Sequence, residues 1–187
     1  MNRFWQIIIL VALLTGGAVF IALPLNSRTA DTAKQILPAA SKATTRVSTA
    51  IGDAAPDFQL ATIDGAAASL AGLRGQPAVL VFWTAWCPTC KEEAPHFNEL
   101  AARYESRGVR VLGINIQDSL ARTQSGIKDF GIRYAVARDA DASVARRYNV
   151  TGTPTIVFLD KLGVVRYFAN ALPDDYPERL DALIAAQ

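Results

Sequence analysis

Six apolar residues at 78–83, Ala-Val-Leu-Val-Phe-Trp, constrain the fold of this chain more than any other segment. A short, unbroken apolar run is typical of a strand that is buried on both faces of a sheet. Further on, apolar residues recur at helical spacing from Ala94 to Tyr104 and predict a helix that ends near Gly108. Cys87 and Cys90 follow the strand directly, so the first cysteine is expected at the N-terminus of the helix.

The rest of 52–187 alternates between strand-like and helix-like segments. Strands are predicted at 57–62, 109–114, 134–137, 155–159 and 164–168, and helices at 119–131, 143–148 and from Pro177 onward. Asp64-Gly65 predicts a hairpin turn after the first of these strands. Strands and helices that alternate, and then give way to a hairpin, predict an α/β domain with a mixed central sheet.

The N-terminal part of the chain has a different composition. Residues 4–25 form a run of 22 residues without a charge, of which 17 are hydrophobic. About 20 such residues cross a bilayer as a helix, whereas the apolar part of a cleaved signal peptide is usually about 7–15 residues long. We therefore predict an uncleaved membrane anchor at 1–25, with a cleaved signal peptide as the alternative.

A segment of low apolar content separates this anchor from the domain. Ala, Ser and Thr make up 14 of the 26 residues at 26–51, and the segment contains no aromatic side chain. Such a segment buries too little apolar surface to fold by itself. It is predicted to be a flexible linker, with a helix on the membrane surface as the alternative, and the folded domain is predicted to span 52–187.

Net charge also divides the chain at this boundary. Residues 1–51 carry a net charge of +4, and residues 52–187 carry −2. Because no basic stripe remains on the domain to neutralise phosphates, nucleic acid is excluded as a partner. Arg3 precedes the apolar run, but Arg28 and Lys34 follow it closely, so charge alone does not set the orientation of the anchor.

The two cysteines are the residues best suited to chemistry. Their spacing indicates a redox pair or half of a metal site. At a helix N-terminus, free backbone N–H groups and the helix dipole stabilise the thiolate of Cys87, which is the reactive form. Cys90 lies one turn further on, within disulfide distance, and Pro88 suits the first turn of the helix. Such a pair can attack a disulfide and then resolve the mixed disulfide.

These residues resemble a known family. Trp-Cys-Pro-Thr-Cys-Lys-Glu-Glu-Ala-Pro at 86–95 resembles the active site of the thioredoxin superfamily, and Thr-Gly-Thr-Pro-Thr at 151–155 resembles the loop that carries its cis-proline. The opening Ala-Pro-Asp-Phe at 55–58 is similar to the membrane-anchored TlpA, ResA and CcmG (DsbE) branch. The resemblance implies a thioredoxin-like three-layer sandwich, in which helices flank a central mixed sheet that carries an N-terminal β-hairpin extension.

The resemblance also assigns the site. It implies catalysis by a Cys87–Cys90 redox disulfide, a cis Pro154, and a bound substrate chain that lies against the backbone of Thr153. The residues implied for the substrate groove are Trp86, Pro88, Thr89, Thr153 and Pro154. No cofactor and no metal ion are expected.

One position departs from the family pattern. Classical thioredoxin carries a buried aspartate on the strand before the first cysteine, and here that position is Val81. Because Cys90 must lose a proton when it resolves the mixed disulfide, an acid-base group is expected from elsewhere. ResA-like members place an acid just after the next strand, and Asp118 falls at the matching place. Its alternative role is the N-cap of the following helix.

The function expected from this resemblance is that of a membrane-anchored thiol-disulfide oxidoreductase. It would cross the bacterial inner membrane once and carry its domain in the periplasm, because soluble reductants already serve the cytosol. Relatives mostly reduce client proteins, such as apocytochrome c or copper-site cysteines, with electrons from a membrane donor of the DsbD or CcdA type. A disulfide oxidant or isomerase with the same site is the main alternative.

Two further classes are weaker alternatives. A copper chaperone of the Sco kind needs two cysteines spaced Cys-x-x-x-Cys and a distant histidine, whereas the single histidine here, His96, lies six residues after Cys90. A peroxiredoxin would explain Thr84, three residues before Cys87, but the proline of that family's motif is replaced by Leu80.

Overall fold

The structure, a computed structural model, describes residues 46–186. The predicted anchor at 1–25 and residues 26–45 of the predicted linker lie outside the described residues. Within 46–186, no helix has the length and apolar character needed to span a membrane. Residues 46–51, assigned to the linker from the sequence, contact the domain: Val47 pairs with Ala54, and Ala54 pairs in turn with Val164.

The described residues contain seven strands and five α-helices. The strands are β1 Gln59–Thr62, β2 Ala67–Ser69, β3 Ala78–Trp83, β4 Arg110–Ile116, β5 Ala135–Asp139, β6 Thr155–Leu159 and β7 Val165–Ala169. The helices are α1 Leu70–Leu73, α2 Pro88–Tyr104, α3 Leu120–Phe130, α4 Ser143–Arg147 and α5 Tyr176–Ala185, with a 3-10 turn at Glu105–Arg107.

All seven strands belong to one sheet, in the order β2-β1-β5-β4-β3-β6-β7. The central strands β5, β4 and β3 are parallel to one another, β6 runs antiparallel to β3, and β7 runs antiparallel to β6. The β1–β2 hairpin extends the sheet by an antiparallel contact with β5. The predicted mixed sheet and the predicted N-terminal hairpin extension are thus confirmed.

Alternating residues of β3 supply the two faces of the sheet. Val79, Val81 and Trp83 join the core beneath α2, α3 and α5, whereas Leu80 and Phe82 join the core beneath α1 and α4. Every residue of β3 is buried, which is why its sequence shows no polar alternation. The result is the predicted three-layer arrangement of helices on both faces of a sheet.

Most element boundaries lie within two residues of the prediction, and two of the differences bear on the site. Strand β4 continues to Ile116, beyond the predicted end at 114, because Asn115 and Ile116 still pair with β5. Helix α2 begins at Pro88, so the helix includes Cys90 in its first turn. The short helix α1 is absent from the sequence prediction, since four residues are too few to show a helical period.

Candidate active site

The strand β3 and the helix α2 bring the two cysteines to one edge of the sheet. Cys87 is the N-cap of α2, Pro88 is its first residue, and Cys90 lies one turn along. A disulfide joins Cys87 and Cys90, whose Cα atoms are 5.2 Å apart. Both residues are almost fully buried, at 4% and 5% exposure. The two cysteines therefore do not differ in exposure in this disulfide form.

The surroundings of the Cys87 sulfur are polar. The backbone N–H of Cys90 donates to Cys87 Sγ over 3.1 Å, as expected for an N-cap position. The carbonyl oxygen of Thr153 lies 3.3 Å from the same sulfur. In the disulfide this is a contact only, because Sγ carries no proton, but in the reduced protein the thiol can donate to that oxygen. The Thr153–Pro154 peptide is cis, as the sequence predicted.

The surroundings of Cys90 are apolar. The side chains that meet at this point beneath α2 are those of Val81, Trp83, Phe97, Phe130, Ile132, Tyr134 and Pro154. Burial raises the pKa of Tyr134, so its phenol stays protonated at neutral pH and adds no negative charge there. A thiolate at Cys90 is therefore less well solvated than one at Cys87.

Asp118 lies after the end of β4 and is 5% exposed. Its Oδ2 accepts two hydrogen bonds, one from the backbone N–H of Ala85 over 2.7 Å and one from Asn115 Nδ2 over 2.9 Å. The alternative role of helix cap is wrong, because the N-cap of α3 is Ser119, whose side chain accepts from the N–H of Arg122. Asp118 instead ties β4 to the loop that leads to Cys87.

Two polar residues that the sequence analysis missed complete this connection. Asn115 is fully buried, and its Oδ1 accepts a hydrogen bond from Thr123 Oγ1 over 2.7 Å. Thr123 lies on α3, and its hydroxyl oxygen is also 3.0 Å from the backbone carbonyl oxygen of Ser119, which can share the same proton. The signal for Asn115 was available, since an amide inside an otherwise apolar strand is unusual and must find partners. Thr123 gives no comparable signal.

A groove of about 540 Å³ opens beside the disulfide. Of the five residues predicted for the substrate groove, Trp86 and Thr153 line it. Pro88 and Thr89 are exposed on the first turn of α2, and Pro154 faces the apolar cluster around Cys90. Trp86 is 68% exposed and offers its ring to a bound chain.

The remaining groups near the cysteines are on the surface of α2. His96 Nδ1 lies 3.3 Å from a carboxylate oxygen of Glu93, and the imidazole is 61% exposed. Within residues 46–186, no group of three or more His, Cys, Asp or Glu side chains is arranged to hold a metal ion.

Comparison with known proteins decides the family. Residues 51–168, more than half of the chain, match the model of the AhpC/TSA family. The chain belongs to the AhpC/TSA family. It is 32% identical over 123 residues to the thiol-disulfide oxidoreductase ResA of Geobacillus thermodenitrificans, which covers 66% of this chain and 71% of that protein. It is 30% identical over 115 residues to ResA of Bacillus anthracis, with coverages of 62% and 66%.

Solved structures agree with these relatives. A putative thiol:disulfide interchange protein DsbE from Chlorobium tepidum matches with a TM-score of 0.65 and 28% identity, covering 73% of this chain and 96% of that one. A secreted Mycobacterium tuberculosis disulfide oxidoreductase homologous to E. coli DsbE matches with a TM-score of 0.57 and 34% identity, with coverages of 70% and 96%. This AhpC/TSA member therefore has the predicted thioredoxin-like fold and is a thiol-disulfide oxidoreductase of the TlpA, ResA and CcmG kind.

Proposed function

We propose that this oxidoreductase is a reductant, anchored in the bacterial inner membrane by residues 1–25, with its domain in the periplasm. The observation that carries the direction is the environment of Cys87. Among the described residues, the Cys90 N–H is the one hydrogen-bond donor to Cys87 Sγ, and the other close group is the carbonyl of Thr153. Neither of the intervening residues, Pro88 and Thr89, carries a charge.

The physical link between this environment and the direction is the stability of the reduced form. A strongly oxidising dithiol is one whose thiolate is held by several donors or a nearby cation, because that stabilises the reduced state. Here the thiolate of Cys87 gains one N–H donor and the helix dipole, and the apolar cluster around Cys90 disfavours a second thiolate. The disulfide is thus the relatively favoured state, and the dithiol gives up its electrons readily.

The proposed reaction is a two-step exchange. The Cys87 thiolate attacks one sulfur of the client disulfide, so that a Cys87–client disulfide forms and the other client sulfur leaves as a thiolate. Cys90 then loses its proton and attacks Cys87 Sγ, which forms the Cys87–Cys90 disulfide and releases the second client thiolate. Two electrons pass from the enzyme to the client, and the two client thiolates take up the two protons that the enzyme thiols lost.

The proposed transfer of electrons from the enzyme to its clients indicates which clients and which electron donor it needs. Client proteins carry disulfides or cysteine pairs, with apocytochrome c or copper-site cysteines as the classes that the resemblance implies. A reductant that works in an oxidising compartment must be reduced again after each turnover, which calls for a donor in the membrane of the DsbD or CcdA type.

The direction is tested by running the exchange both ways with the full chain in mild detergent. Reduced enzyme is mixed with a disulfide peptide whose midpoint is about −200 mV, and oxidised enzyme is mixed with the reduced peptide. Alkylation and mass spectrometry then count the thiols at equilibrium. We expect near-complete peptide reduction in the first mixture and little enzyme reduction in the second. The opposite pair of results would establish a disulfide oxidant.

The location is tested by labelling. Spheroplasts that carry the full chain are treated with a reductant that does not cross membranes, and then with a membrane-impermeant maleimide. A periplasmic domain predicts labelling of Cys87 in intact spheroplasts, with the Cys87→Ser/Cys90→Ser variant as the unlabelled control. Labelling that requires lysis would place the domain in the cytosol.

A further inference from the structure

The groove beside the disulfide is lined by positive charge that the exchange reaction itself does not use. Arg122, on the first turn of α3, and Arg146, on α4, both line it, together with Trp86 and Thr153. Thr153 places this groove next to the reacting sulfur, because its carbonyl oxygen lies 3.3 Å from Cys87 Sγ. A client chain that reaches Cys87 along Thr153 therefore lies in the groove that both arginines line.

Neither arginine forms an ion pair within residues 46–186, although the charge of Asp141, which does not line the groove, interacts with that of Arg146. The ion pairs within residues 46–186 join other side chains, and none of them includes Arg122 or Arg146. Arg146 Nη1 donates to the backbone carbonyl of Asp141 over 2.7 Å, which fixes the side chain but leaves its other N–H donors free. Both residues are exposed to solvent.

The acids near the site offset this charge only in part. Asp118 is the one acidic residue among those that line the groove, so a single carboxylate stands against the two arginines. Glu92 and Glu93 lie on α2 and are not among the groove-lining residues. The rest of the domain carries a net negative charge, so the positive potential is local to the groove.

Two further features indicate that the groove is built to receive a chain. Thr84 lines it and is 5% exposed, and its buried Oγ1 has no hydrogen-bond partner among the described residues. A bound backbone group can supply that partner, since a buried hydroxyl left unpaired is costly. Gln117 and Ala142 also line the groove and hold left-handed backbone, each with φ of 57°.

We propose that Arg122 and Arg146 select client segments that carry acidic side chains beside the cysteine attacked by Cys87. This inference rests on the proposed exchange with protein clients and adds the chemical class of the segment that is recognised. The guanidinium groups bind carboxylates, the exposed ring of Trp86 covers an apolar part of the chain, and Thr84 holds one backbone group. Charges of this kind act mainly on the rate of encounter and on the choice of partner.

The test compares three disulfide peptides of one sequence, flanked by Glu, Gln or Lys, as substrates of the reduced full chain in mild detergent at low salt. The rate of reduction is expected to fall in the order Glu, Gln, Lys, with a Glu-to-Lys ratio of about three- to tenfold. In Arg122→Gln/Arg146→Gln the ratio is expected near one. Because the ratio is taken within one variant, it does not depend on the fraction of folded protein.

A matched control makes the same change of charge outside the groove. Lys128→Gln/Arg147→Gln removes two exposed cations from the same helices, α3 and α4, and neither residue lines the groove. This variant is expected to keep the wild-type ratio. Raising the salt to 0.5 M shortens the screening length to about 4 Å and is expected to reduce the wild-type ratio towards one.

The possible results distinguish a failure of this inference from a failure of the proposed function on which it rests. Wild-type enzyme that fails to reduce even uncharged hydroxyethyl disulfide contradicts the proposed function. Enzyme that reduces this disulfide but shows equal rates for the three peptides, or a preference for Lys, overturns the inference alone. The inference is also overturned if the control variant loses the Glu-to-Lys ratio as completely as Arg122→Gln/Arg146→Gln does. It is overturned as well if high salt leaves the wild-type ratio unchanged.

Discussion

Cys87 and Cys90 differ in their neighbours rather than in their exposure. Cys87 lies at the helix N-terminus, next to the Thr153 carbonyl that faces the groove, and Cys90 lies against the apolar core. The sequence predicted the correct pair and the correct helix end, because strand, cysteine spacing and proline all act locally. It did not predict equal burial, which follows from packing of the distant loop at 151–154 over the disulfide.

The first prediction concerns the order of attack. Cys87 is the attacking thiol and Cys90 the resolving one, because the helix N-terminus and the groove favour a thiolate at Cys87. Cys90→Ser is therefore expected to accumulate mixed disulfides with clients, and Cys87→Ser is not. Non-reducing gels of cell membranes check this, with the double variant as the blank. If Cys87→Ser accumulates more, the order of attack is reversed.

The second prediction concerns Asp118, whose role as proton acceptor for Cys90 remains a prediction. Its carboxylate accepts the Ala85 N–H and the Asn115 amide. Asp118→Ala leaves both donors buried without a partner and is expected to cost about 1–3 kcal/mol of unfolding free energy. Asp118→Asn keeps one acceptor oxygen, so it is expected to recover much of that stability while resolution by Cys90 stays slow.

Stopped-flow exchange between pH 5 and 9 measures attack and resolution separately for these two variants. A slow resolution step in a stable Asp118→Asn protein supports proton transfer by Asp118. An exchange profile that superimposes on that of the wild type would leave Asp118 with only the structural role of holding Ala85. The sequence alone did not separate these two roles. Its alternative role for Asp118 was the N-cap of α3, a position that Ser119 occupies in the structure.

At the scale of elements, helix α3 packs unusually closely on the loop before Cys87. A Cβ placed on Gly126 would lie 2.7 Å from Ala85 Cβ and 2.9 Å from Trp83 Cζ3. The absence of a side chain therefore allows α3 to support the active-site loop. Sequence analysis treats a glycine inside a helix as a weakness, because the close approach that requires it comes from tertiary packing.

The third prediction is that Gly126→Ala destabilises the protein, although alanine favours a helix. The clash with Ala85 and Trp83 is expected to cost about 1–3 kcal/mol, more than the roughly 1 kcal/mol that helix propensity returns. Urea unfolding followed by tryptophan fluorescence measures the change. Gln124→Ala, an exposed substitution on the same helix, is expected to be neutral or slightly stabilising. If Gly126→Ala were as neutral or stabilising as Gln124→Ala, α3 and the loop would not be in close contact.

The β6–β7 turn depends on the charge of Asp160. Burial alone would favour its protonated form, but the N–H groups of Val164 and Leu162 and the guanidinium of Arg166 outweigh burial and lower the pKa below its usual 3.8. A group whose pKa is lower in the folded state stabilises the fold above its unfolded pKa. That stabilisation is lost as the pH falls through the folded pKa.

The fourth prediction follows from this sign. Asp160→Asn is expected to be less stable than the wild type by about 1–2 kcal/mol at pH 7, and the difference is expected to shrink as the pH falls below the usual carboxyl pKa of 3.8. Urea unfolding at several pH values provides the measurement. Asp174→Asn, at an exposed acid with no hydrogen bond or ion pair among the described residues, is the control. A difference that stays constant with pH would contradict the ionised role of Asp160.

At the scale of the whole molecule, the sequence predicted the fold class from buried strands and from the alternation of elements. The motif at 86–90 and the Thr-Pro-Thr segment at 153–155 lie far apart in the chain, and the structure brings them within 3.3 Å at Cys87 Sγ. The groove between α3, α4 and the loop at 150–153 could not be predicted, since its walls come from four separate segments. The two arginines of the groove, Arg122 and Arg146, belong to no recognisable sequence motif.

The equilibrium reduction potential of the Cys87–Cys90 pair tests the central claim most directly. The full chain in mild detergent is equilibrated with reduced and oxidised dithiothreitol or glutathione at pH 7, and free thiols are trapped and counted at each ratio. A reductant with a single N–H donor to Cys87 Sγ predicts a midpoint near that of thioredoxin, about −270 mV, or lower. A midpoint near about −120 mV, that of a strong disulfide oxidant, would contradict this account.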